Sequence, residues 1–172
     1  HLREAHPYFY LACMIEYYTF IRPEELSHIK LEDISIKEQS VFINATVSKN
    51  KRDGKVGLND KIIKFMIDLG VFQHPNDYYL FGPKVTRPSA TRSDSEMFRR
   101  KWNTLVRKGL GWGDCYQFYS LKDSGLRDLA NSEGIVIARD QARHSDVSTT
   151  NKYLQGRDAA VHEETKHFKG NL

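Results

Sequence analysis

Apolar residues recur at helical spacing along most of the chain. Between residues 7 and 20 the apolar positions fall three or four residues apart, which predicts a helix with one buried face. Pro23 and the two glutamates after it fit the first turn of a second helix. The pattern predicts further helices over residues 59–69, 93–108, 120–130, 135–142 and 158–166, and one that carries Tyr153. The chain is therefore predicted to be mainly helical.

A shorter stretch after the second helix has the pattern of β-strands. Residues 33–36 and 40–47 alternate in places and are rich in β-branched residues, with residues 37–39 as the turn between them. Asp53-Gly54 is a hairpin-turn signal in the basic segment that follows. Residues 71–91 contain prolines and show no clear period, which predicts a connecting loop. Ser120 and Asp123 are spaced as a capping box at the start of a helix.

The composition is that of an ordinary globular domain. The chain has 172 residues and a mass of 20.0 kDa, and 40% of its residues are hydrophobic, which is enough for a core. No apolar run approaches the ~20 residues that cross a bilayer, and no signal peptide is evident. Cys13 and Cys115 lack metal-type spacing and suggest reduced thiols. We therefore expect a soluble, cytoplasmic protein with no membrane contact.

The basic residues are unevenly distributed. The net charge is only +4, but residues 49–55 hold four Lys and Arg, and residues 87–108 hold seven. Clustered basic residues suit a polyanion such as nucleic acid, because each phosphate that is neutralised releases a condensed counterion. Many mildly basic domains bind no polyanion, so the charge alone does not assign a partner.

The segment 142–154 carries the most specific chemistry. His144 stands nine positions before Tyr153, and the Ser and Thr residues between them can cap a short helix that carries the tyrosine. This arrangement predicts a phenol beside an imidazole. Upstream, Arg22 precedes a helix with Glu25 three residues later, and a guanidinium held at such a point can bind a phosphate. Either pattern alone is also compatible with ordinary helix-start chemistry or a surface ion pair.

Taken in chain order, these motifs resemble the catalytic domain of a tyrosine recombinase of the phage integrase family. The shared order is an arginine before a helix, a lysine-rich hairpin, the helix start Ser120-Leu121-Lys122, the His144 segment and Tyr153. The resemblance implies an α+β, mainly helical fold with a small antiparallel three-stranded sheet. It also implies that residues 1–172 are the catalytic domain, as a fragment that lacks the family's N-terminal DNA-clamping domain.

The resemblance implies a role for each motif residue. Tyr153 would attack the DNA backbone and form a 3′-phosphotyrosyl bond, and Arg22, Lys122 and His144 would bind the scissile phosphate. Lys49 would protonate the leaving oxygen, with Lys51 as the alternative because one residue of slip reverses a side chain on a strand. Further catalytic or DNA contacts are expected from Tyr119, Lys51, Arg52, Lys55 and Arg143.

One motif departs from the family. The place that usually has His-x-x-Arg has Tyr119-x-x-Lys122 in this chain. Lysine keeps the charge but not the bidentate fork of arginine, and tyrosine donates a hydrogen bond but cannot be protonated as imidazole can. Arg127 is an alternative to Lys122, but it lies further into the helix and closer to His144 than the family spacing.

These expectations define three functional hypotheses. The first is a recombinase or integrase of a phage or mobile element that cleaves and rejoins double-stranded DNA, acts as a homo-tetramer (a monomer for this fragment alone), and needs neither metal nor cofactor. The second is a DNA-binding relative with impaired cleavage, motivated by Tyr119 and Lys122. The third is a basic domain without an active site, which predicts that Arg22, His144 and Tyr153 lie far apart.

Overall fold

The structure, a computed structural model, describes residues 1–49 and 51–154, without the side chains of Tyr153 and Leu154. The helix predicted at 158–166 lies outside the described residues. The helices are α1 Leu2–Ala5, α2 Pro7–Thr19, α3 Pro23–His28, α4 Asp60–Asp68, α5 Glu96–Lys101, α6 Ser120–Glu133, α7 Ile135–Gln141 and α8 Val147–Leu154. Within the described residues no helix is long and apolar enough to span a membrane.

Helix α2 lies at the centre of the molecule. Its buried residues include Phe9, Leu11, Ala12 and Ile15, and it packs against α3, α4, α5 and α6. The helix ends at Phe20, which adopts a left-handed conformation with φ of 60°. The chain then turns into α3, where Pro23 occupies the first turn as predicted.

A small antiparallel sheet packs on the same core. It consists of β1 Ile34–Ser35, β2 Ser40–Ile43 and β3 Gly54–Gly57 in the order β1-β2-β3. Val41 pairs with both Ile34 and Val56 in the register of the sheet. Val41, Ile43 and Val56 are buried, so one face of the sheet closes the core. The predicted α+β, mainly helical fold with a three-stranded antiparallel sheet is confirmed.

Two predictions for this sheet are wrong in detail. Strand β2 ends at Ile43, and Gly54 is the first residue of β3 and pairs with Ile43, so Asp53-Gly54 is not the turn of a tight hairpin. The connection between the strands runs over residues 44–53, and Asp53 at its end folds back on its start. The Asp53 carboxylate accepts a hydrogen bond from the backbone N–H of Ala45 at 2.6 Å.

The segment predicted as a loop, residues 71–91, is irregular but contributes to the core. It contains the short 3₁₀ helix Val71–Gln73, and Leu80, Phe81 and Val85 are buried. After it, α5 continues as a π-helical segment, Trp102–Lys108. Its apolar stripe packs inward as predicted, with Phe98 stacked on Phe118.

The C-terminal helices are joined to this core through α6. Helix α6 packs along α2, and α7 and α8 pack against α6. The contact between α2 and α6 is so close that a Cβ atom at Gly125 would collide with the carbonyl oxygen of Tyr17. The predicted capping box at the start of α6 is absent. Ser120 instead accepts a hydrogen bond from the backbone N–H of Gln117 at 3.0 Å, because it lies inside the first turn of the helix.

Candidate functional site

Arg22 and Glu25 form the predicted pair at the start of α3. The Glu25 carboxylate accepts a hydrogen bond from the backbone N–H of Arg22 at 3.0 Å, and its other oxygen lies 3.6 Å from the Arg22 guanidinium. The pair thereby fixes the first turn of the helix. The Arg22 side chain is 18% exposed, whereas that of Glu25 is 1% exposed.

Glu25 also connects two distant segments to Arg22. Its Oε2 atom lies 2.6 Å from Nη2 of Arg143, and its Oε1 atom accepts a weaker hydrogen bond from the backbone N–H of Lys49 at 3.4 Å. Burial raises the pKa of Glu25, but the hydrogen bond from Arg22 and the charge of Arg143 outweigh it, so the pKa lies below its ordinary value. Glu25 is therefore an ionised carboxylate that holds α3, the β2–β3 connection and the His144 segment together.

Lys122 is completely buried on α6. Its ammonium makes no hydrogen bond to any other described residue and lies 5.5 Å from the centre of the Tyr119 ring. Burial lowers the pKa of Lys122 to about 8, and the charge of Arg22 acts in the same direction. Tyr119, at the residue before α6, thus contributes a half-buried aromatic face beside this ammonium.

Glu16 on α2 is a second buried carboxyl group near Lys122. Both of its oxygens are buried and have no hydrogen-bond partner among the described residues. Burial raises its pKa well above the ordinary value, although the charge of Lys122 opposes this shift. The sequence analysis missed Glu16. The available signal was a charged residue on the face of α2 that otherwise carries Ala12 and Ile15.

His144 follows a turn in which Arg143 has a positive φ of 55°. A residue with a side chain costs ~1–2 kcal/mol in this conformation, so its surroundings must hold it there. His144 is 9% exposed, and its Nδ1 atom lies 2.9 Å from the hydroxyl of Thr150 on α8. Burial lowers the pKa of His144 to about 4, helped by the charges of Lys122 and Arg22. The imidazole is therefore neutral at pH 7.

Arg22, Lys122 and His144 are brought together, although they come from different parts of the chain. The charge of Arg22 acts on the pKa values of both Lys122 and His144. This contradicts the hypothesis of a domain in which Arg22 and His144 lie far apart. The backbone of Tyr153 is in α8, nine residues after His144, and its side chain lies outside the described part of the chain.

The remaining predicted residues differ in their relation to this site. Lys49 is exposed, and its backbone N–H contacts Glu25; Lys49 and Lys51 both stay predictions for the general acid. Arg52 is exposed and lines the neighbouring cleft. Lys55 forms an exposed ion pair with Glu38 at 2.7 Å. Arg127, the alternative to Lys122, is exposed on α6, and its charge acts on Asp123.

An open cleft of about 530 Å³ lies between the β2–β3 connection and the His144 segment. Basic and neutral donors face it from both sides, together with two carboxylates. Its lining comprises Ser48, Arg52, Asp53, Gly54, Asp140, Arg143, His144 and Ser145. Within residues 1–49 and 51–154, no three His, Cys, Asp or Glu side chains are grouped to hold a metal ion.

The chain is similar to known proteins both in its sequence profile and in its fold. The profile described as "Phage integrase family" matches residues 3–159. A search of curated proteins found no match. Among solved structures, the crystal structure of XerA recombinase is similar with a TM-score of 0.73 at 22% sequence identity, over 98% of this chain and 61% of that chain.

Two further structures were determined with DNA. The integrase of transposon Tn1549, in complex with a circular intermediate DNA, has a TM-score of 0.72 at 14% identity, over 95% of this chain and 58% of that chain. A lambda integrase dimer bound to a COC′ core site has a TM-score of 0.66 at 16% identity, over 94% of this chain and 58% of that chain. At these identities the likeness establishes the fold, and this chain spans less than two thirds of each relative.

Proposed function

The chain belongs to the phage integrase family, and on that premise we propose that it is a site-specific recombinase that cleaves and rejoins double-stranded DNA. The observation that carries the proposal is the convergence of Arg22, Lys122 and His144 beside the cleft that His144 lines. A guanidinium, an ammonium and an imidazole at one point can stabilise the negative charge that develops on a phosphodiester during phosphoryl transfer.

In the proposed reaction Tyr153 is the nucleophile. Its phenolic oxygen attacks the scissile phosphorus, the bond from phosphorus to the 5′ oxygen breaks, and a 3′-phosphotyrosyl bond forms that conserves the energy for rejoining. A free phenol has a pKa of ~10, so either the cationic surroundings activate the hydroxyl by lowering this pKa, or the hydroxyl loses its proton to solvent as it attacks. The Lys49 ammonium would donate a proton to the departing 5′ oxygen.

The other residues would stabilise the charge on the phosphate. Arg22 would donate hydrogen bonds from its guanidinium, and Lys122 would supply buried positive charge. His144 would act as a neutral donor in the tautomer in which the Thr150 hydroxyl, 2.9 Å from Nδ1, donates to that atom and Nε2 carries the proton. All positive charge in this scheme comes from side chains, so the proposed mechanism requires neither metal nor cofactor.

A nicked suicide DNA that carries the attachment site tests this proposal. Full-length protein is incubated with it in the presence of a chelator, and a denaturing gel is inspected for a covalent protein–DNA band. We expect a band with the wild type and none with Tyr153→Phe. A wild type that binds the DNA but gives no band would contradict strand cleavage.

The alternative is a DNA-binding relative with impaired cleavage. It is favoured by one observation, namely that Lys122 is buried and has a pKa of about 8, so part of it is neutral near physiological pH. A bound phosphate would raise this pKa again. We propose double-stranded DNA as the partner under both alternatives, and a homo-tetramer as the assembly for recombination.

A further inference from the structure

The buried cluster beside the cleft has an excess of positive charge. Arg22, Arg143 and Lys122 contribute three basic groups, whereas Glu25 is the carboxylate among them whose pKa is lowered. Burial raises the pKa of the nearby Glu16 well above its ordinary value. Buried charges are stable only when they are paired, so this cluster is suited to an anion that enters from the cleft.

The two arginines of the cluster share one carboxylate. Arg143 binds one oxygen of Glu25 at 2.6 Å, and Arg22 lies 3.6 Å from the other oxygen. Both guanidinium side chains are partly exposed, at 15% for Arg143 and 18% for Arg22. The Lys122 side chain is 0% exposed and its ammonium has no hydrogen-bond partner among the described residues. Of these three basic residues Arg143 lines the cleft, so Arg143, rather than the buried lysine, presents donors to it.

The position of Arg143 is fixed from several sides. Its left-handed backbone conformation directs the side chain toward Glu25 and Ser48, whose hydroxyl lies 3.5 Å from Nη1. A Cβ atom at Gly54 would lie 3.0 Å from Cδ of Arg143, so the missing side chain at Gly54 leaves room for the arginine stem. A guanidinium held in this way loses little entropy when it binds a phosphate.

We propose that Arg143 binds the scissile phosphate and supplies the second bidentate guanidinium of the site, a function that Lys122 cannot perform. Lys122 then acts from behind as a buried positive charge. This inference rests on the proposed strand cleavage, and it assigns to Arg143 a direct contact with the reacting phosphate rather than general attraction to DNA. The other interpretation is that Arg143 only ties the His144 segment to Glu25.

A charge-conserving exchange between positions 122 and 143 distinguishes the two interpretations. The rate of covalent adduct formation on nicked suicide DNA is measured for Arg143→Lys, for Lys122→Arg and for the double variant. Arg143→Lys keeps the charge beside Glu25 and loses the fork, so we expect a loss of ~30-fold or more. The double variant returns one guanidinium to the cluster, and we expect at least a tenfold recovery over Arg143→Lys.

A second experiment uses a DNA substrate whose scissile position carries no negative charge. Arg143→Gln is expected to lose ~100-fold on the phosphodiester. A methylphosphonate at the scissile position lacks the charged oxygen, so the loss should shrink to less than tenfold if the arginine neutralises that charge. The control is Arg139→Gln, an arginine on α7 that pairs with Asp140 at 2.6 Å, for which we expect a change below threefold. Thermal melting of each variant confirms that it is folded.

Each outcome bears on one proposal. Full activity of Arg143→Lys, or a loss that is equal on both substrates and is not recovered in the double variant, would overturn the phosphate contact and leave Arg143 as a structural tie. If the wild type gives no adduct that depends on Tyr153, strand cleavage itself fails. If the wild type gives the adduct and the Arg143 variants match it, only the role of Arg143 fails.

Discussion

Two regions of the protein differ in the side chains that they bury, which are apolar in the first region and partly charged beside the second. In the first region, Phe81, Phe98 and Phe118 contact one another ring against ring within a large apolar cluster that includes α2, α4 and the sheet. In the second region, where α6 to α8 pack, the fully buried members of the separate apolar cluster among the described residues are Phe20, Leu126, Ala138 and Ala142. Beside this second cluster lie buried charged side chains.

The apolar region contributes mainly to stability, whereas the buried charged groups are of the kind found at functional sites. Apolar burial contributes ~25 cal/mol per Å², so the first region supplies most of the favourable free energy of folding. Glu16 of α2 and Lys122 of α6 are buried where the two regions meet, without hydrogen-bond partners among the described residues, which costs free energy. Perturbed ionisable groups of this kind cluster at functional sites. The comparison predicts that substitutions in the two regions change stability by different amounts, and in one case with opposite sign.

The largest effect is expected in the first region. Phe98→Ala removes a ring that is 0% exposed, lies edge-on to Phe81 and stacks on Phe118, so we expect the free energy of unfolding to fall by about 3–5 kcal/mol. Urea unfolding followed by circular dichroism measures it. Leu126→Ala in the smaller cluster is the matched comparison, with an expected loss of about 2–3 kcal/mol. Equal losses would remove the distinction between the regions.

The contact between α2 and α6, where the two regions meet, is expected to be nearly as sensitive to substitution. Gly125→Ala places a methyl group against the carbonyl of Tyr17, which must move α6 away from α2. We expect a loss of about 3 kcal/mol in unfolding free energy, together with weaker DNA cleavage because Lys122 is on the same helix. Ser124→Ala, at the exposed neighbouring position, is the control and should change stability by less than about 0.5 kcal/mol. A Gly125→Ala variant as stable as the wild type would contradict the close packing.

Glu16→Met is expected to act in the opposite direction. It replaces two buried, unpartnered oxygens with apolar atoms of similar volume, so stability at pH 7 should rise by about 1–2 kcal/mol. Leu11→Met, on the same helix in the apolar cluster, should instead lower stability by less than about 1.5 kcal/mol. Destabilisation by Glu16→Met would show that the carboxylate is charged and stabilises Lys122 instead.

The smallest effect is a pH dependence from His144. Its pKa is about 4 in the folded protein and 6.5 in the unfolded chain, so the unfolded chain binds more protons between these values. Stability should therefore fall as the pH decreases from 6.5 toward 4, with a contribution on the order of 1 kcal/mol at pH 5. His144→Asn removes this contribution. Urea unfolding of both proteins at pH 5 and pH 7 measures the difference, and identical pH profiles would contradict the buried, neutral imidazole.

The sequence predicted the elements whose signals are local. The apolar spacing of α2, the proline at the start of α3 and the helix before His144 each lie within one element, so periodicity and capping chemistry identify them. The turn at Asp53-Gly54 was predicted wrongly because the Asp53 side chain bonds to Ala45, which statistics on dipeptides do not include.

The residues of the candidate site were likewise predictable only where their signals are local. Arg22, Lys122 and His144 follow from ordered motifs, whereas the roles of Glu16 and Arg143 depend on contacts between segments distant in sequence. Glu25 was identified as the partner of Arg22, but its contact with Arg143 arises only when the His144 segment folds onto α3. A sequence does not specify such a contact without the tertiary structure.

Strand cleavage by Tyr153 is tested most directly by identifying the protein atom that becomes joined to DNA. Wild-type protein is reacted with nicked suicide DNA, digested with nuclease and protease, and analysed by tandem mass spectrometry. We expect a peptide in which Tyr153 carries a 3′-linked nucleotide through its phenolic oxygen. A nucleotide on any other residue, or DNA cleavage with no nucleotide on the protein, would contradict it.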